Sequence, residues 1–265
     1  MRKHVATTIL ASLLFPLTIW AQESDRTGLN YGFHIGWQWA GNAEAKLYEV
    51  GSEGTLNLNT ILIGNTTNYT KLKEYFNDDF SLYEFPHDTK YKPTLSLGGT
   101  LQYYTCKTFA VYLNAIFSSP SITHCSFSIK LNSKKGSLSD EVIEQGSISG
   151  KENRLQFEVG IHKSFPIDAQ ITPFIEVAGA ASFMEMKTHE ISIGNLNQSV
   201  LHYSNNDANS NFSKVGLGTS CTTGIQLPLA NKFYLYAGFS VSAIHYGIFD
   251  NALSFAKAID IKVLL

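Results

Sequence analysis

A two-residue alternation, repeated along most of the chain, limits the possible folds more than any other feature. From Leu29 the odd positions Leu29, Tyr31, Phe33, Ile35, Trp37 and Trp39 are large and apolar, whereas Asn30, Gly32, His34, Gly36 and Gln38 lie between them. Successive side chains of a strand point to opposite faces, so period two over eleven residues specifies a strand. A helix would instead repeat its apolar positions every three to four residues. The pattern returns seven times, at 95–103, 109–117, 155–161, 175–183, 215–225, 233–241 and 253–263. Eight such segments predict an all-β fold, an eight-stranded antiparallel up-and-down barrel.

The second face of the strands decides which way the barrel is turned. A barrel in water would carry Lys, Glu, Asp and Arg there. Instead the face reads Thr94, Ser96, Gly98, Thr100, Gln102 in one strand and Gly216, Gly218, Ser220, Thr222, Gly224, Gln226 in another. Small neutral residues of this kind fill a narrow lumen, so the bulky apolar face is predicted to point outward into lipid. The opposite orientation, a soluble secreted barrel with its bulky residues inside, is the competing reading.

Connector lengths give an independent test, because an outer-membrane barrel has short turns on one side and long loops on the other. The segments 41–91, 119–152 and 187–210 are long; 106–107, 165–169 and 228–231 are short, and the two kinds alternate. A shorter outer connector, 246–251, leads into the last strand. Two long connectors hold weak strand character, at 54–61 and 125–131, which either extends the wall above the membrane or makes a ten-stranded barrel. Leu72, Tyr75 and Phe76 have helical spacing and fit one amphipathic turn over the barrel mouth, or a loop packed on itself.

The first 21 residues place Arg2 and Lys3 before an apolar run from Val5 to Trp20 and end on the small Ala21. This is the pattern of a cleaved signal peptide, with 22–265 as the barrel domain. Without Arg2 and Lys3, 18 basic face 22 acidic residues, a net charge near −4 with no basic cluster, so nucleic acid is not an expected partner. Cys106, Cys125 and Cys221 are odd in number and show no zinc or dithiol spacing, so neither a metal nor a cofactor is expected. The Asn-rich stretch 205–211 reads as a solvated loop rather than an ion site.

In pattern and architecture 29–265 resembles the eight-stranded outer-membrane barrels of the OmpA, OmpX and PorT-like kind. That resemblance implies a transmembrane barrel with long extracellular loops in the cell outer membrane. Its implied partners are outer-membrane lipid, the barrel-insertion machinery and an unidentified surface partner. The chain departs from the pattern in ending Val263-Leu264-Leu265 rather than on an aromatic residue. Lys257 also falls on lipid-facing parity and is expected to snorkel at the outer interface.

Parity places His34, Arg154, Glu158, His162, Glu176, Asp260 and Lys262 inside the lumen. Buried charges need partners, and Glu158 and Glu176 on adjacent strands are the expected acceptors for Arg154 or a lysine. By the OmpA-like resemblance such a network could gate ions; the plainer reading is that it fills the lumen. His202-Tyr203-Ser204-Asn205 resembles the H-x-S-N segment of lipid A 3-O-deacylases, which implies Ser204 as nucleophile and His202 as its base. That family carries an acid twelve positions after its serine, where this chain has Gly216. The sequence therefore favours a non-enzymatic barrel for surface interaction or envelope structure. A small porin-like conduit and a deacylase-like enzyme are the alternatives.

Overall fold

The computed structural model describes residues 27–42, 45, 48, 58–85, 89–123, 125–135, 141–167, 171–199, 213–230, 233–247 and 253–265. The expected signal peptide, the segment 54–57, the Asn-rich stretch, His202 and Ser204 all lie outside these residues.

In chain order the strands are β1 (Gly28–Trp39), β2 (Phe80–Glu84), β3 (Lys90–Tyr91), β4 (Thr94–Cys106), β5 (Phe109–Ser118), β6 (Ile122–Thr123) and β7 (Cys125–Lys135). They continue with β8 (Glu141–Ser164), β9 (Thr172–Ile193), β10 (Leu196–Ser199), β11 (Ser213–Ala230), β12 (Phe233–His245) and β13 (Ser254–Leu264). The α-helix α1 (Thr66–Phe76) follows a π-helical turn at Thr60–Gly64. Eight strands close a ring in the order β1, β4, β5, β8, β9, β11, β12, β13 and back to β1, every neighbour antiparallel. All eight expected strands are there, and the ring closes where β13 meets β1, Ile35 opposite Ile261.

The bulky odd-numbered faces point outward. Leu29, Phe33, Trp37, Leu97, Val159, Leu217, Phe255 and Ile259 are all among the exposed large apolar residues. A soluble monomer does not expose a continuous apolar belt around its whole circumference, whereas a bilayer requires one. The ring is thus a transmembrane β-barrel, and the inward-facing soluble alternative is excluded.

A bilayer crossing takes about 9–11 tilted residues per strand. β1, with 12 residues, is about that length, while β8 has 24 and β9 has 22, so both run well past the belt. Their surplus builds a cap. β7 pairs along the upper part of β8, β2 pairs with β7, and β10 pairs with the top of β9. The weak strand signal at 125–131 therefore extends the wall, and among the described residues the ring has eight strands, not ten. The signal at 54–61 is corrected for its described part: residues 58–61 are helical, leading into the π turn.

Polarity reverses between belt and cap. In the belt, β8 presents Leu155, Phe157, Val159 and Ile161 outward; higher up its outward residues are Ser147, Ser149 and Lys151, and buried Ile148 faces in. β9 makes the same change through a bulge. Lys151 pairs with Thr188 and Glu152 with Met186, so Lys187 has no opposite number. The extra residue shifts the inward set from even positions (Glu176, Ser182, Met184, Met186) to odd ones (His189, Ile191, Ile193).

The cap has a hydrophobic core of its own. Tyr48, Leu58, Leu62, Leu72, Phe76, Phe80, Phe127, Ile129, Ile148, Ile191 and Leu196 are buried together in one cluster. The helix that contributes Leu72 and Phe76 is longer than the single turn expected. Asn65 starts it by accepting from the backbone N–H of Thr67 at 3.1 Å and Asn68 at 3.2 Å, and left-handed Asn77 (φ 50°) ends it. On its inner face Asn68 donates to the Ile61 carbonyl at 2.9 Å, which ties the helix to the π turn. Tyr48 packs so closely on β8 that a Cβ at Gly150 would sit 2.1 Å from its ring, so only glycine fits there.

Candidate functional site

Every lumen residue expected from parity is buried: His34, Arg154, Glu158, His162, Glu176, Asp260 and Lys262 are each at most 9% exposed. They do not form one network but occupy separate tiers along the axis. The periplasmic tier is aromatic. Tyr104 and Tyr236 share a hydrogen bond between their hydroxyls at 2.8 Å, and His162 stacks on Phe174 with ring centres 5.2 Å apart. Phe174, Tyr236 and Leu264 make a small apolar cluster there, which floors the barrel.

Above the floor, Lys262 Nζ donates to Glu176 Oε2 at 2.6 Å and His162 Nδ1 to Glu176 Oε1 at 3.1 Å. The Lys262 ammonium also lies 5.4 Å from the Tyr112 ring centre, so its charge is matched by a carboxylate and by an aromatic face. A relay of neutral donors holds Glu158: Thr100 donates to Asn114 Oδ1 at 2.6 Å, Asn114 to Glu158 Oε2 at 2.8 Å and Gln156 to Glu158 Oε1 at 2.9 Å. Asp260 accepts from Ser240 at 2.7 Å. Among these groups is a cavity of about 30 Å³, lined by residues that include Gln38, Ser96, Ser220, Glu158 and Asp260.

The upper tier corrects one expectation. Arg154 pairs with neither Glu158 nor Glu176; its Nε donates to Glu152 Oε1 at 2.6 Å, two residues back on the same strand. Its guanidinium lies over two rings, 5.0 Å from the centre of Tyr91 and 5.7 Å from that of Tyr246. Tyr246 in turn shares a hydrogen bond with Ser182 at 2.7 Å. Glu152 was within reach of sequence reasoning, since it shares Arg154's parity. Tyr104, Tyr112 and Asn114 carried only the weaker signal of large or amide side chains at inward positions.

Outside, at the rim, β5, β8, β9 and β11 line a groove of about 610 Å³. Lipid-facing Phe117, Leu155, Phe183 and Val215 line its apolar part, and Asn153, Glu185, Ser213 and Lys214 its polar part. Glu185 is paired with Lys187 at 2.7 Å, so the groove marks the level where the apolar belt gives way to charge. Lys257, exposed on β13 and paired in register with Trp39 at the last residue of β1, stands at the outer end of the ring as snorkelling requires.

On the far side of the cap, Asp79 is exposed and accepts from Tyr69 OH and from Lys73 Nζ, each at 2.7 Å. Those two donors hold its carboxyl below the ordinary value of 3.8. Where β4 ends at the periplasmic turn, Cys106 is exposed. Among the described residues, no group of three or more His, Cys, Asp or Glu could hold a metal ion.

No protein-family model and no curated protein matches the sequence. Solved structures do. Neisserial surface protein A is 9% identical, with 92% of this chain and 99% of that one covered at a TM-score of 0.43. The N-terminal β-barrel domain of OprF from Pseudomonas aeruginosa is 7% identical, with 91% and 100% covered at 0.37. Outer membrane protein OprG from the same organism is 10% identical, with 90% and 96% covered at 0.35. By its own closed register, outward apolar belt and small polar lumen, the chain is an eight-stranded antiparallel β-barrel of the outer-membrane kind.

Proposed function

We propose that the protein is a closed, non-enzymatic barrel of the outer membrane that displays a folded extracellular cap for surface interaction or envelope support. One observation carries this reading: the outer segments pack into an apolar core above a lumen already filled by side chains. A conduit needs a continuous aqueous path, and here the aromatic floor, the Glu176–Lys262 pair and the Arg154 tier lie across the axis. A cavity of about 30 Å³ holds one or two waters, each needing roughly 10–15 Å³. A flexible loop would order only on meeting a partner, whereas a packed cap presents a formed surface and loses less entropy on binding.

The test combines location and transport. Cells producing the full chain are fractionated, and the outer-membrane fraction is run on a gel before and after boiling. The purified barrel is then placed in planar bilayers. Heat-modifiable migration with no current steps is expected. Discrete conductance would favour the porin-like reading, and recovery only from the soluble fraction would overturn the location. Deacylation is read separately: the lipid A acyl pattern of expressing cells should match that of cells carrying Ser204→Ala, and a serine-dependent loss of one acyl chain would restore the His202/Ser204 enzyme.

A further inference from the structure

The charges inside the barrel do not cancel. Among the described inward-facing side chains of the spanning strands, Glu152, Glu158, Glu176 and Asp260 face two permanent cations, Arg154 and Lys262, beside the imidazoles of His34 and His162. Arg154 is taken by Glu152 and Lys262 by Glu176, so Glu158 and Asp260 are left with neutral donors alone. Lys257 also borders the cavity between them, but it is exposed on the outer, lipid-facing side of β13. Two carboxylates hydrogen-bonded to neutral donors alone, in a narrow lumen surrounded by hydrocarbon, are disfavoured as anions unless a cation joins them.

Oxygen atoms converge on the same cavity. Ser96 is 2% exposed, lines it, and its Oγ has no hydrogen-bond partner; Gln38 Oε1, also in the lining residues, has none either. Ser240 occupies one Asp260 oxygen, Oδ2. The other, Oδ1, lies over Gly36, where a Cβ would be 2.1 Å from it and 2.6 Å from Ser96 Oγ. The absence of a side chain at Gly36 therefore lets the Asp260 carboxylate and the Ser96 hydroxyl close in on the same stretch of backbone, beside the cavity that both line.

We propose that this mid-lumen cavity is a binding site for one calcium-sized divalent cation. Asp260 Oδ1, Ser96 Oγ and Gln38 Oε1 are its ligands, and Glu158 supplies the second balancing charge. Hard oxygen donors, a carboxylate among them, suit such an ion; the one or two waters the cavity has room for add to the three protein oxygens, and calcium accepts an irregular shell where magnesium demands a near-ideal octahedron. On the proposed reading of a closed lumen, the ion enters while the barrel forms and leaves slowly afterwards.

The experiment refolds the full chain from urea into detergent micelles with calcium chloride, with sodium chloride alone, or with EDTA. Heat-modifiable migration establishes that each sample is folded. After exhaustive desalting, metal analysis of the calcium sample should give one calcium per barrel, and its unfolding temperature should exceed that of the EDTA sample. Asp260→Asn and Ser96→Ala should lower retained calcium at least tenfold, and Gly36→Ala, whose methyl would push Asp260 Oδ1 and Ser96 Oγ aside, should lower it as well. Ser149→Ala on the outer wall should retain it in full. Should Asp260→Asn fail to fold, Ser96→Ala decides alone. Folded wild type without stoichiometric calcium, equal retention by wild type and Ser96→Ala, or stabilisation by sodium alone would each overturn the proposal.

Discussion

Lys262 and Glu176 show how much a single lumen contact carries. Both are buried and joined at 2.6 Å, so removing one partner leaves a charge without its match in a medium that cannot solvate it. Lys262→Met should destabilise the barrel by about 3–5 kcal/mol in urea unfolding from lipid vesicles, and adding Glu176→Gln should recover most of that loss. A cluster at the solvent-facing surface of the cap behaves differently. Asp79 is held below its usual pKa by Lys73 and Tyr69, so its contribution is complete above the ordinary carboxylate range and disappears as pH falls through the depressed value. A carboxyl NMR titration should find the Asp79 midpoint below 3.8 and returned toward that value in Lys73→Met. Parity assigns seven residues to the lumen, and all seven are buried. It could not pair them, because the height of a residue in a barrel depends on the stagger between strands, which leaves no mark in a two-residue alternation. Arg154 was therefore assigned to the carboxylates of the expected strands, although Glu152 lies beside it on its own strand.

At the level of the element, the eight spanning strands were legible because lipid outside and crowding inside constrain both faces at once. Above the membrane that double constraint ends. There β7, β2 and α1 form against one another, with little local signal: Thr66, Thr67 and Asn68 are poor helix formers, and only Leu72, Tyr75 and Phe76 keep the spacing. The bulge at Lys187 was equally hidden, since it changes which parity faces in without interrupting the strand. Deleting Lys187 should turn His189, Ile191 and Ile193 outward. The expected outcome is a cap digested at least tenfold faster by added protease, on a barrel whose heat-modifiable migration is retained.

For the whole molecule, the orientation of the apolar faces determines everything else. Val159, 60% exposed in the belt, and Ser149, exposed on the same strand above it, provide a direct check. Val159→Lys should cost about 2–4 kcal/mol in vesicles and Ser149→Lys almost nothing, a difference that detergent-free unfolding titrations resolve. Because β8 and β9 run unbroken from floor to cap, the assembly also has a mechanical character. Tension applied at the cell surface along these strands loads the ladder from Ser147–Ser192 to Ser164–Phe174 in shear, where many hydrogen bonds must yield together. Tension across the short β2–β7 ladder, from Phe80–Leu131 to Glu84–Ser128, would instead peel it one pair at a time, so the direction of pull decides how firmly anything attached to the cap is held.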